Sequence, residues 1–168
     1  MTAPDAEKRI RRIEDRLEIQ DLAVRYCIAI DDSDYDGMLP MYTEKAGLGE
    51  LTGRQEVVGQ LRAIRSTYGR TIHTPHGHTV RFVDDDHATG IVLSHAELDI
   101  AGQTIHAAIR YYDDYEREEG AWRFANRALK FAYALPVHEL GESLTSDLPV
   151  RWPGTEPAPA DENPGSTR

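Results

Sequence analysis

The chain has a single cysteine, no long apolar run and no excess of basic residues, and each shortage removes a class of function. Cys27 has no second thiol with which to close an internal disulfide, and its place on an apolar helical stripe fits a reducing cytoplasm, the expected compartment. No stretch approaches the roughly 18 apolar residues that span a bilayer, and no signal-like hydrophobic segment follows Met1. A formal charge of −10 repels nucleic acid and anionic membrane surfaces, and no basic patch interleaved with aromatics offsets it. The Walker loop, the GxGxxG turn and the GxSxG nucleophile elbow are all missing. So is any CxxC pair, or an acidic ligand at a spacing diagnostic for metal. The expectation is therefore no cofactor and no metal.

What is present fits one domain, since 168 residues suffice for a real core or an enclosed pocket. From Pro136 the composition shifts to Pro149, Pro153, Pro157, Pro159 and Pro164 among Gly, Ser, Glu and Asp. Residues 1–135 read as the domain, 136–147 as a partly ordered arm and 148–168 as an extended or disordered tail. A long helix is expected from about Pro4 or Asp5 to Asp32, then a short helix over Tyr35 to Met41 weakened by Pro40. A short strand over Ala46 to Leu51 and a third helix over Arg54 to Tyr68 follow, the latter carrying Val57, Val58, Leu61 and Ile64 at helical spacing. The pattern then alternates with period two, which predicts strands at 72–84, 88–100, 103–117 and 121–134 joined by short polar hairpin turns. Three helices followed by an antiparallel meander make an α+β domain, with a curved sheet wrapped over the long helix as a cone and a pocket between them.

The residue that breaks the pattern is Asp31. At about 100° per residue, Ile13, Leu17, Val24, Cys27 and Ile28 all project within roughly 60° of its direction, whereas Asp32 follows Glu14, Glu18, Asp21 and Arg25 on the wet side. A core-facing carboxylate needs a partner, and the helix's C-terminal carbonyls make the charge still less welcome. His73, at the mouth of the first long strand, is the candidate: the carboxylate would fix its tautomer and make the ring a better general base. The bland alternative is that Asp31 caps a loop and His73 is an ordinary strand-end residue.

Other candidates carry their own bland readings. His76, His78, His95 and His106 are a possible metal set, or polar residues that line a pocket or face solvent. His95 interrupts an apolar strand and is a candidate second acid or hydrogen-bond donor, and His76 is a candidate substrate-binding residue. Tyr26 and Tyr42 could orient a substrate oxygen, though most tyrosines pack with a wet hydroxyl. Arg127 lies within a strand, where an arginine more often faces out. The runs Asp84 to Asp86 and Asp113-Asp114 read as solvated turns and strand ends. Trp122 and Phe124 read as outer-face aromatics that need cover, which points to a homo-oligomer.

Residues 8–135 resemble the SnoaL-like branch of the nuclear transport factor 2-like superfamily, whose members are cone-shaped α+β domains. The resemblance is carried by Ile13-Glu14-Asp15-Arg16-Leu17-Glu18-Ile19-Gln20-Asp21-Leu22, Ile28-Ala29-Ile30-Asp31, Gly53-Arg54, Tyr112-Asp113-Asp114-Tyr115-Glu116-Arg117 and Gly120-Ala121-Trp122-Arg123-Phe124. Within that superfamily the chain is most similar to the hexachlorocyclohexane dehydrochlorinases and, more distantly, the scytalone dehydratases. The resemblance implies that Asp31 and His73 form their catalytic dyad, that Arg127 matches a pocket arginine and that the homo-oligomer is a dimer or trimer. One departure is Tyr26, which stands where the dehydrochlorinases carry a lysine five residues before the aspartate. A phenol offers no full positive charge to a departing chloride but can hold a carbonyl or hydroxyl.

These readings favour a lyase or isomerase that dehydrates, isomerises or cyclises a small, largely apolar, oxygenated molecule. His73 would be the base, Asp31 its orienting partner, and Tyr26, His95 or Arg127 the group that polarises the substrate oxygen. The alternative is a non-catalytic module of the same fold that holds a ligand or pairs with another subunit.

Overall fold

A computed structural model describes residues 3–162. Helix α1 spans Ala3–Asp32 and ends at Ser33, whose φ of 59° takes the chain out of the helix. Asp34 then caps α2 (Tyr35–Met38) by accepting from the Gly37 N–H at 2.9 Å, and a turn of 3-10 helix over Leu39–Met41 absorbs Pro40. Strands β1 (Tyr42–Leu48) and β2 (Leu51–Thr52) precede α3 (Arg54–Arg65). The remainder is β3 (Tyr68–Phe82), β4 (His87–Ile100), β5 (Gln103–Glu118) and β6 (Ala121–Pro136). Ala101-Gly102 and Glu119-Gly120 all have positive φ, so both hairpins turn on two residues whose twist matches that of the strands.

The strands form one curved six-stranded sheet in the order β2-β1-β6-β5-β4-β3, not closed. It is mixed rather than purely antiparallel, because β1 runs parallel to β6 from Tyr42 opposite Phe124. Alternation along β4 and β5 sends Val92, Ala96, Ile109, Tyr111 and Tyr115 to the inner face, where α1 covers them with Ile19, Leu22, Tyr26 and Ile30. Each such aliphatic side chain contributes about 1.5–3 kcal/mol by leaving water.

The apolar stripe expected to face the core does not. Ile13, Leu17, Val24 and Ile28 are exposed, and of that stripe only Cys27 is buried. Helix α1 carries two apolar stripes, and the one that meets the sheet runs Ile19, Leu22, Ala23, Tyr26, Ile30. Trp122 and Phe124, expected on the outer face, are 1% and 0% exposed on the inner one and offer no oligomer surface. Among the described residues no helix is long and apolar enough to cross a membrane.

Polar side chains of α1 run along the free edge of β3. Arg12 donates to the Asp84 carbonyl at 2.9 Å, Arg16 to Val80 at 2.9 Å and Gln20 to His78 at 3.1 Å. The helix thereby satisfies an edge that would otherwise invite another strand.

The expected disordered tail is held in place as far as it is described. Val137–Glu142 forms a 3-10 turn, and residues 149–161 return along the part of β6 that β1 leaves bare. There Ala134 donates to Pro149 at 3.0 Å, while Phe131 and Asp161 exchange bonds of 2.9 Å. An unpaired strand edge needs backbone partners, and a proline-rich extended segment supplies enough of them. Trp152 packs edge-on to Phe131 with ring centroids 5.1 Å apart. Residues 163–168 of that tail lie outside the described residues.

Candidate active site

Asp31 closes α1 where β3 passes beneath it, and three donors converge on its carboxylate. The Thr71 hydroxyl and the His73 ring Nδ1 reach Oδ1 at 2.6 and 2.7 Å, and the His73 backbone N–H donates to Oδ2 at 2.7 Å. Thr71 and His73 share the inner side of β3 because residues two apart face the same way, with His73 opposite Ala96 of β4. Burial pushes the Asp31 carboxyl up, but these hydrogen bonds outweigh it and hold the group below the usual carboxylate range, so it is ionised. An ionised carboxylate only accepts, so Nδ1 carries a proton, and in the neutral ring the lone pair is then on Nε2. The His73 side chain is 11% exposed and that of Asp31 18%. Asp31 lies beside the core, facing a shallow groove between α1 and the β3–β4 end of the sheet, rather than within the core as its helical position suggested.

On its other side His73 borders a cavity of about 680 Å³ between α1, α3 and the inner sheet face. Its walls are mainly apolar, with Ile30, Leu61, Leu98, Ile109 and Leu129 among them, and Tyr26, Tyr111 and Arg127 also line it. Tyr26 is buried, which raises its phenol above the ordinary value and keeps it a donor.

Arg127 is held by a network. Its Nε and Nη2 donate to Asp113 at 2.9 and 3.0 Å, and its guanidinium lies 4.2 Å from the Tyr26 and Tyr111 ring centres and 4.3 Å from that of Phe124. Burial opposes the Arg127 charge, but the Asp113 carboxylate more than restores it, while Nη1 stays buried without a hydrogen-bond partner. Tyr115 donates to Asp113 at 2.7 Å and meets His78 Nε2 at 2.9 Å. With its only proton on Asp113, the Tyr115 oxygen accepts from His78 Nε2–H, which leaves Nδ1 as the bare acceptor found without a partner. Burial pushes the His78 imidazole down to about 4, so it stays neutral.

The other sequence candidates lie elsewhere. Tyr42 is buried against Phe124, ring centroids 5.4 Å apart, and does not border the cavity. His95 faces the outer side of β4, because its inner neighbours are Ser94 and Ala96. Alternation from the inward Thr71 and His73 puts His76 on that same outer face, where its Nε2 meets His95 Nδ1, and the register shift between Pro75 and Gly77 is what turns His78 inward to Tyr115. His106 stacks on Tyr133 there, 5.9 Å away. Among the described residues no group of three His, Cys, Asp or Glu side chains is placed to hold a metal ion.

Three residues passed over in the sequence belong to the cavity or its support. Asp113 is 2% exposed rather than a solvated strand end, and its alternation with Tyr111 and Tyr115 was the available signal. Arg65 lines the cavity and sits on the stripe of α3 that carries Val58 and Leu61. Trp152 reaches the cavity from the proline-rich tail, which gives no periodic signal.

Residues 11–128 match the SnoaL-like domain family. The chain belongs to the SnoaL-like domain family. This SnoaL-like chain is 32% identical over 127 residues to an uncharacterized protein of Mycobacterium tuberculosis, an alignment that covers 70% of the chain and 86% of that protein. Among solved structures it resembles LinA at 26% identity and a TM-score of 0.68, covering 76% of this chain and 92% of that one. A hexachlorocyclohexane dehydrochlorinase, LinA type 2, shares the fold at 23% identity and a TM-score of 0.71, with 87% of this chain and 99% of that one covered. So does a structure assigned as a scytalone dehydratase from Novosphingobium aromaticivorans, at 16% identity and 0.67, covering 76% and 91%. These likenesses show a shared fold.

Proposed function

We propose that the protein is a cofactor-independent lyase or isomerase that removes a carbon-bound proton from a small, largely apolar, oxygenated molecule in the cavity. The observation that carries this reading is the His73 ring, fixed by Asp31 through Nδ1 at 2.7 Å and bordering the cavity. Nε2 takes the proton from a carbon next to a carbonyl, and the imidazolium that forms is stabilised by Asp31. The electron pair moves onto the substrate oxygen, where the free Arg127 Nη1–H and the Tyr26 phenol meet the developing charge. His73 then returns its proton, either to another carbon, which isomerises the substrate, or to a departing hydroxyl, which leaves as water. Positioned acid–base chemistry of this kind contributes about 10²–10⁴-fold. A module that only holds a ligand gives no task to an oriented imidazole.

The test is a panel of apolar ketones and β-hydroxy ketones incubated in D₂O and followed by NMR for deuterium uptake or loss of water. Turnover by the native protein that drops sharply in both His73→Ala and Asp31→Asn supports the proposal. Full turnover in both variants refutes it.

A further inference from the structure

One cation in the cavity has nothing to neutralise it. Arg65, in the last turn of α3, is 9% exposed, and both its Nε and Nη1 are buried without a hydrogen-bond partner. Its guanidinium lies 5.4 Å from the Tyr68 ring centre, and Arg65 lines the same cavity as His73. The neighbouring charges are otherwise settled, since Arg127 is matched by Asp113 and Asp31 by His73. Among the described residues no Asp or Glu lines the cavity. A guanidinium cannot shed its proton at any accessible pH, so a buried one with idle N–H groups lacks an acceptor that water or protein would normally provide.

We propose that the molecule bound in this cavity carries a carboxylate, which Arg65 receives. This names the substrate class for the reaction proposed above and rests on that reading for its catalytic meaning. A single uncompensated guanidinium balances a monoanion, whereas a phosphate dianion would remain half unmatched in an apolar enclosure. The cavity of about 680 Å³ lies within the range of roughly 300–1,000 Å³ typical of small-molecule sites. The apolar body rests against Leu61, Leu98, Ile109, Leu129 and Trp152. Substrate is then oriented by its acid at one wall and deprotonated by His73 at another.

The experiment measures binding and needs no turnover. Three matched pairs, 2-naphthylacetate, indole-3-acetate and 4-phenylbutyrate with their carboxamides, are titrated into the full chain by calorimetry, with indole fluorescence as a second readout because Trp152 lines the cavity. At least one acid should bind about tenfold or more tightly than its amide, the advantage of a charge-assisted bond. In Arg65→Gln that preference should vanish while the amide keeps its affinity, which also shows that the variant folds, and Arg65→Lys should retain part of it. No acid preference in any pair, including the case in which no probe binds, overturns the proposal, as does a preference that survives Arg65→Gln. The preference should persist in His73→Ala, so loss of the catalytic reading and loss of this one are separately visible.

Discussion

The two faces of the sheet each gather histidines, and they teach different things. On the inner face the His73 ring has a carboxylate on one nitrogen and a cavity beside it. On the outer face His76 and His95 have chiefly each other, with His106 5.2 Å from His95. Burial and then the two neighbouring imidazoles push the His95 ring down, so His95 resists taking up a proton. What makes an imidazole a useful base is an acid behind it and a substrate site in front, not the density of histidines in the sequence.

Four measurements break or sharpen that contrast. The largest effect is expected for His73→Ala, with turnover falling by about 10²–10⁴-fold, whereas His95→Ala should stay within about twofold; equal losses would abolish the distinction between the faces. Next is Arg127→Met, which strands the Asp113 charge inside the protein and should lower stability by about 3–5 kcal/mol in urea unfolding. A smaller loss, about 1–3 kcal/mol, is expected for Asp31→Asn, because the amide cannot accept all three bonds the carboxylate accepts.

The smallest effect is a slope with pH. His78 binds its proton at about 4 when folded against 6.5 as the ordinary value, so the unfolded chain holds more protons between these limits and stability falls as the solution is acidified from 6.5 toward 4. Below that window Asp31 adds a further loss: its folded value lies below 3.8, so its contribution is present above 3.8 and disappears as pH falls through the folded value. In His78→Gln the first slope should flatten while the second remains, as followed by thermal unfolding across pH.

Much of this was legible in the chain, though not always for the right reason. Asp31 and His73 are brought together, yet the apolar stripe that singled Asp31 out is not the one that meets the sheet. Helix α1 has apolar residues on two sides, and periodicity cannot say which side meets the sheet. The hairpins from β3 to β6 follow from alternation and turn residues because those pairings are local. The parallel pairing of β1 with β6, and the tail's return along β6, depend on which edge is left bare after folding, and nothing in their own residues encodes it. Asp113 was read as a solvated strand end because charged residues usually are, and Arg65 drew no reading at all. Their neighbours at i±2 in the strand and at i−4 in the helix said otherwise.

The most direct test is the protonation of the His73 ring, read by nitrogen-15 NMR of the imidazoles at neutral pH. We expect Nδ1 to carry the proton and Nε2 to be bare in the native protein, with that assignment lost in Asp31→Asn. A ring protonated at Nε2, or averaging freely between the two forms, would leave no base facing the cavity and would refute the dyad.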